Sequence, residues 1–369
     1  MAIVEKRLVK RINWILVGGV LAILCIGLFT LYSATRHATS DPFYYVKRQL
    51  IAVAIGTVGA IIVFRTDYHI YRLYTRHFYW AAVGSLLLVL LIGRRAGGAQ
   101  SWFRLGAFQL QPSEFAKLAF IFVLADQLES HQGGFERIRD FLPILISAAV
   151  PLGLVILQPD LGTALVFAFI LMAMLFVVGV PARVFGTMAA VVIPILPLAY
   201  HFVLRPYQRL RLLIFLNPWA DRLGAGYNVI QSSIAIGAGR FFGKGYLRGT
   251  QAQLRFLPAH HTDFIFSVFA EENGFVGCVI LLGLFLLIFL DTVRRLPTSY
   301  DRYGMFLTTG LLAMWTFHVF ENVGMALGVM PVTGIPLPFV SYGGSAMIVN
   351  LTAVGLVANV QARRSGVLF

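Results

Sequence analysis

The sequence predicts an all-α polytopic membrane protein of about ten transmembrane helices, with both termini cytoplasmic and a large extracytoplasmic loop between helices 7 and 8. Three observations predict it. The 369 residues are 58% hydrophobic and only 12% charged, with a mean hydropathy of +0.79, a composition that no ordinary soluble domain has. Apolar runs long enough to cross a bilayer recur along the whole chain. Basic residues concentrate on alternate loops, as the positive-inside rule requires.

Taken in order, the expected spans are residues 12–33, 48–64, 77–93, 112–128, 141–157, 161–179, 183–200, 263–290, 303–327 and 344–362. The first run is too long for a signal-peptide core and reads as an anchor. Lys6, Arg7, Lys10 and Arg11, then Arg65, Arg72 and Arg76, then Arg137 and Arg139, Arg183, Arg294, Arg295 and Arg302, and finally Arg363 and Arg364 mark the cytoplasmic side. Arg36, Lys47, Arg48, Arg94, Arg95 and Arg104 fall on the other side. The net charge of +14 is largely absorbed by span ends, so nucleic acid is not an expected partner. Cys25 and Cys278 lie in apolar runs and read as small core residues. No repeat or second soluble domain interrupts residues 1–369, which form a single membrane domain with an extracytoplasmic loop at about 201–262.

Parity then gathers the unusual chemistry on one face. Trp102, Gln111-Pro112-Ser113-Glu114 with Lys117, Gln158-Pro159-Asp160-Leu161-Gly162, Asp263, and Ser341-Tyr342-Gly343-Gly344-Ser345 all fall at extracytoplasmic span ends. The apolar run Phe275 to Leu290 covers only ~24 Å of a ~30 Å hydrocarbon core. Its span must start near Phe264, which puts Asp263 at the lip and takes Glu271 and Glu272 inside. An unpartnered charge there costs roughly 2.5–3.5 kcal/mol, so these acids need partners, water or a ligand. The loop at 201–262 carries Arg205, Arg209, Arg211, Arg222, Arg240, Lys244, Arg248 and Arg255 against Asp221 alone, with glycines throughout. Such a loop suits an anionic ligand, with backbone N–H groups cradling phosphate, or rests on acidic lipid head groups. Residues 331–338 are too apolar for a solvated linker and too rich in Pro for a helix, and read as re-entrant.

Each motif has a plain reading beside the functional one. Glu114 and Lys117, three apart, share a helix face; they form a structural ion pair or line a polar cavity. Lys117 near a helix N-terminus opposes the macrodipole, so something else must justify it. Asp160 caps the following helix or faces a ligand. Trp102 belongs to the interfacial aromatic belt or stacks on a sugar or lipid. His260 and His261 lack a third ligand and the spacing of a zinc site. No Gly-x-Ser-x-Gly, P-loop or His-Glu-x-x-His pattern is present. What remains is one Asp facing a basic, Gly-rich loop. That suits a transfer whose leaving group is a phosphate or diphosphate, with Asp263 as the base and cations holding the departing charge.

At these residues the chain resembles the SEDS family (shape, elongation, division and sporulation), and most closely its rod-shape members. The motifs run through nearly the whole chain: Trp102 in its Gly-Ala-x-x-Trp-x-x-Leu-Gly context, Gln111 to Glu114 with Lys117, Gln158 to Gly162, Gln231-Ser232 with Ala235-Ile236-Gly237, Gly243-Lys244-Gly245, His261-Thr262-Asp263-Phe264-Ile265-Phe266, and Pro338 to Ser345. The resemblance implies peptidoglycan glycosyltransfer from undecaprenyl-diphosphate-linked donors, that is, polymerisation of lipid II during cell elongation and shape maintenance. It implies Asp263 as the catalytic base, Glu114 and Lys117 as a polar pair near the cavity, and Lys244 and Arg209 as diphosphate contacts. Trp102, Asp160, Gln231 and Ser341 are further cavity-lining candidates on the family motifs. It also implies assistance by a divalent cation (Mg2+ or Mn2+) with no ligand set visible, and work beside a class B penicillin-binding protein and other membrane proteins of the elongation complex. Ala259 and His260, and Ala238 and Arg240, depart from the residues more usual in relatives, Arg240 standing where a Gly is usual.

Two other classes fit part of this. A transporter that flips lipid II also needs a polar cavity, but should expose polar residues along a path through the midplane. A noncatalytic scaffold for the penicillin-binding protein leaves the carboxylate facing a basic loop unexplained.

Overall fold

The computed structural model describes residues 11–96, 99–105, 108–131, 138–202, 204–224, 226–254, 256–299 and 301–363. In chain order its helices are α1 (Trp14–Thr35), α2 (Tyr44–Arg65), α3 (Tyr68–Leu73), α4 (Thr75–Ile92), α5 (Pro112–Ser130), α6 (Ile138–Leu157), α7 (Leu161–Val178), α8 (Ala182–Phe202), α9 (Pro206–Leu216), α10 (Tyr227–Gly239), α11 (Thr250–Gln253), α12 (Ile265–Arg295), α13 (Arg302–Ala326) and α14 (Gly344–Ala362). Each of the ten expected spans coincides with one of these helices. Among the described residues, seven are long and apolar enough to cross a membrane: α1, α2, α4, α7, α8, α12 and α14. Of the others, α5 carries Glu114, Lys117, Asp126 and Glu129, and the apolar part of α6 is the shorter Phe141–Leu157. Lys6, Arg7, Lys10, Arg137, Arg255, Arg364 and the Gly97-Gly98 pair lie outside the described residues.

Two features depart from an all-helical reading. Between α4 and α5 the chain forms a three-stranded antiparallel sheet, β1 (Arg94–Ala96), β2 (Ala99–Leu105) and β3 (Phe108–Leu110), in that order. Trp102 stands opposite Arg94, and Phe103 opposite Leu110. The loop at 201–262 is also less irregular than its glycines suggest, because α9, α10 and α11 lie within it.

The chain divides into two compact units. The first comprises residues 1–67, 213–299 and 315–369, the second 68–212 and 300–314. Within the first unit the alternation of helices is visible in its hydrogen bonds. At one end Asn13, which caps α1, donates to Asp291 Oδ2 (2.5 Å) and Gln361 Oε1 (2.8 Å), near the C-termini of α12 and α14. There too, Asn359 Nδ2 donates to Val63 O and Thr66 O at the end of α2. At the opposite end the N-terminus of α14 meets that of α2, where Gly343 N donates to Gln49 Oε1 (3.2 Å). Small residues let α2 and α14 approach closely: a Cβ on Gly355 would lie 2.5 Å from Ala60 O, and one on Gly56 3.0 Å from Leu351 Cβ. In membranes, where lipid tails are as apolar as Leu, such close packing is a main source of helix association. The second unit is tied by Gln158 Nε2 on Leu86 O (2.9 Å) and Gln100 N on Gln158 O (3.2 Å). Elsewhere in it, Arg72 pairs with Asp126 (2.7 Å) and Glu129, and His69 with Asp301 (2.7 Å).

Candidate active site

In the first unit Asp263 precedes α12 and is half-buried. The backbone leading to it is held residue by residue. The carbonyls of His261, Thr262 and Asp263 accept, in turn, from Tyr342 N (3.0 Å), Ser341 Oγ (2.7 Å) and Asn322 Nδ2 (2.8 Å). Ser341 Oγ also accepts from Leu337 N (2.8 Å), while Ser341 O accepts from Gln49 Nε2 (3.0 Å). Ser341 is therefore a brace beneath the aspartate's backbone, and its hydroxyl proton is spent on Thr262 O. The Asp263 carboxylate lies against Gly334, whose α-carbon has φ +80 and whose Cβ, if present, would stand 3.5 Å from Oδ2. Below it Phe264 and Val268 pack with Leu257, Ala34 and Met325 in a dry cluster.

His260 and His261 are oriented by the same region. The ring nitrogens of His260 lie 2.7 Å from Leu257 O and 2.9 Å from Ala34 O. His261 packs against the rings of Tyr45 (5.0 Å) and Tyr342 (5.8 Å), and burial, then the neighbouring His260, push its pKa down to about 4. At neutral pH it is an uncharged aromatic neighbour of the aspartate.

Lys244, the expected diphosphate contact, is paired with a buried carboxylate. Its Nζ is 2.7 Å from Glu271 Oε1 and 2.8 Å from Thr250 Oγ1. Glu271 is fully buried and also accepts from Thr250 N (2.9 Å), Thr250 Oγ1 (2.9 Å) and Gln251 N (3.1 Å). Nearby Glu272 accepts from Ser33 Oγ. Here α12 is two helical segments joined at Gly274 (φ 65, ψ −166), a conformation open essentially to glycine alone. The loop splices the break: Phe275 N and Val276 N donate to Arg240 O and Phe241 O, while Lys244 N and Gly245 N donate to Glu271 O and Glu272 O. Gly239 and Gly243 allow this, since a Cβ on either would lie 2.1 Å from a carbonyl oxygen of α12. These glycines serve backbone contact with a helix. Gln231 is half-buried on α10, and its neighbour Ser232 donates to Ala326 O (2.6 Å) while meeting Ser267 Oγ at 2.6 Å.

The second unit holds a separate group. Glu114 and Lys117 form a buried ion pair at 2.8 Å in the first turns of α5. Asp160 caps α7, accepting from Thr163 N (3.0 Å) and Thr163 Oγ1 (2.9 Å). Burial raises its pKa, and the charges of Lys117 and Glu114 act on it, so these three expected residues are neighbours. Trp102 is half-buried on β2. Arg209 donates to Leu204 O (3.0 Å) and to His201 O, and lies 5.7 Å from the Tyr200 ring, so it closes the end of α8.

Among the described residues no three His, Cys, Asp or Glu side chains gather to hold a metal ion. A cation held by one or two carboxylates together with substrate phosphates requires no such cluster. Sequence reasoning missed Asn322, Gln49 and Glu321. The signal for Glu321 and Asn322 was polar side chains inside an apolar span, which ordinarily mark function.

Residues 13–366 match the FtsW/RodA/SpoVE family of cell cycle proteins, and the chain belongs to that family of polytopic membrane proteins. It is 35% identical to the peptidoglycan glycosyltransferase RodA of Treponema pallidum, over 97% of this chain and 99% of that one. It is 36% identical to the peptidoglycan glycosyltransferase MrdB of Escherichia coli K12 (93% and 92%), and 37% identical to a probable peptidoglycan glycosyltransferase FtsW of Trichlorobacter lovleyi (93% and 91%). Among solved structures, a chain of a peptidoglycan synthase complex that coordinates polymerization and crosslinking superposes with a TM-score of 0.82 at 38% identity, over 96% of this chain and 98% of that one. The rod shape determining protein RodA of Thermus thermophilus gives 0.72 at 32% (96% and 98%).

Proposed function

We propose that this membrane protein is a peptidoglycan glycosyltransferase that polymerises lipid II into glycan strands on the outer face of the cytoplasmic membrane, releasing undecaprenyl diphosphate. Family membership and the names of its relatives support the activity; one observation carries the assignment of the site. The backbone that ends at Asp263 is braced at three successive carbonyls, those of His261, Thr262 and Asp263, by Tyr342, Ser341 and Asn322. Such bracing suits a group that must meet a reacting atom in one geometry.

The reaction assigned to the site is a single inverting displacement. The Asp263 carboxylate takes the proton of the acceptor GlcNAc 4-hydroxyl as that oxygen attacks C1 of the donor MurNAc. The C1–O bond to diphosphate breaks, and its electron pair leaves with the undecaprenyl diphosphate. Such a leaving group departs without a general acid, so one carboxylate suffices. Glu114, Lys117 and Asp160 form the polar group of the second unit, and with Trp102 they are the substrate-binding candidates of that unit. Lys244 holds Glu271 and Arg209 the end of α8, and each keeps further N–H donors with which it can contact a diphosphate. The partner is a class B penicillin-binding protein, consistent with the synthase complex to which a structural relative belongs.

The test uses purified protein with and without its class B partner, supplied with lipid II, comparing wild type with Asp263→Asn and resolving products by length. Long glycan from wild type, reduced about 10³-fold in a folded Asp263→Asn protein, establishes the polymerase and its base. A wild type that makes none with its partner, yet moves lipid II across a vesicle bilayer, makes the chain a transporter.

A further inference from the structure

We infer that Asn322 is a positioning residue for Asp263, and this rests on the reading of Asp263 as the base. Asn322 lies on α13, fully buried. Its single amide nitrogen donates at 2.8 Å to Asp263 O and at 2.8 Å to Ile335 O. Both hydrogens of the amide are thereby used, one on the residue that bears the carboxylate and one on the loop against which that carboxylate lies. The loop is fastened at alternate residues around this point. Thr333 Oγ1 donates to Glu321 Oε1 (2.7 Å), Ile335 O takes Asn322, and Leu337 N donates to Ser341 Oγ (2.8 Å). Gly334, between the first two fastenings, is the residue whose missing Cβ leaves room for Asp263 Oδ2 at 3.5 Å.

Asn322 therefore sets the distance between the aspartate and the wall beside it. A residue kept only for packing would be apolar here. The amide oxygen of Asn322 is buried without a partner among the described residues, a cost of about 1–3 kcal/mol that a leucine would not incur. What the amide adds is a pair of N–H groups that join two carbonyls otherwise lacking this common donor. Its loss leaves the Asp263 side chain chemically intact but removes this donor from the Asp263 carbonyl, with the braces on His261 O and Thr262 O remaining. A shift of about 1 Å in a reacting group costs on the order of 10²-fold in rate.

The experiment compares Asn322→Leu, Asn322→His and Asp263→Asn in the complex with the class B partner, reconstituted in vesicles, measuring kcat and KM for lipid II and the thermal midpoint of each protein. Asn322→Leu is expected to lower kcat about 10- to 100-fold with KM within about twofold, and Asn322→His, which keeps an N–H, to recover most of it. If Asn322→Leu does not fold, Ser341→Ala, which removes the brace on Thr262 O, is expected to give the same split between kcat and KM. A kcat for Asn322→Leu within about twofold of wild type, or a loss confined to KM, overturns the inference. The two readings fail separately. Polymerisation that survives Asp263→Asn removes the base and this inference with it, whereas an inactive Asp263→Asn beside an Asn322→Leu with wild-type kcat removes the inference alone.

Discussion

Asp263 and Glu271 belong to the same stretch of chain, yet the structure treats them in opposite ways. At Asp263 the surroundings hold the backbone: Tyr342, Ser341 and Asn322 donate to main-chain carbonyls. At Glu271 the carboxylate itself does the holding, collecting Lys244, Thr250 and Gln251 into one knot. The first arrangement fixes where a side chain stands; the second consumes a side chain to fix a loop. Charge in a membrane protein thus has two uses that sequence alone does not separate, and hydrogen-bond direction does.

Substitutions test this contrast most strongly at the aspartate. Asp263→Asn is expected to cost about 10³-fold in polymerisation with an unchanged thermal midpoint, because the braces bind its backbone. The Glu114–Lys117 pair should behave in reverse. Removing Lys117 alone leaves the buried Glu114 charge without its ion-pair partner, at about 3–5 kcal/mol, whereas Glu114→Gln combined with Lys117→Met should recover most of that stability; thermal denaturation of wild type, the single and the double variant in detergent measures the difference. Glu271→Gln should lower stability by about 1–3 kcal/mol, and should expose the chain around Lys244 to proteolysis before the rest of the protein.

His261 sharpens the same comparison through pH. Its folded pKa of about 4 lies below the ordinary 6.5, so between those values the unfolded chain takes up a proton that the folded one does not. Stability is then level above about pH 6.5 and falls as the pH drops towards 4. A thermal midpoint measured across that window should fall in wild type and fall less in His261→Phe. The smallest effect concerns Arg240, which adopts φ 49 and ψ −140 at the end of α10, a conformation glycine takes without strain. Arg240→Gly should relieve about 1–3 kcal/mol of backbone strain against about 0.4–1 kcal/mol of added unfolded-state freedom, visible as a slightly raised midpoint with activity retained.

Much of this architecture was legible in the sequence because crossing a bilayer requires long apolar runs, and each of the ten expected runs is a helix. The sheet β1–β3 was not, because two of its strands are only three residues long and too short for an alternating pattern to register. The Gly97-Gly98 pair between β1 and β2 is the hairpin signal that could have found it. At the site, Asp263 and the Glu114–Lys117 pair stood out as charges at the ends of apolar runs. The protein partners of Lys244 and Arg209 were not legible, because a basic loop looks the same in sequence whether its charges face a phosphate, a buried glutamate or the carbonyls of a helix end. Asn322 was passed over because what makes it matter, two carbonyls from distant parts of the chain, exists only after folding.

The break at Gly274 bears on how the protein is made. Phe275, Val276, Glu271 and Glu272 complete their backbone bonding only through residues 240–245, so α12 on its own presents four polar main-chain groups that hydrocarbon cannot satisfy, each a penalty of several kcal/mol. Residues 240–245 must therefore be in place before this helix can settle. Setting of α12 is thus coupled to residues 240–245, which act as a splint across its break.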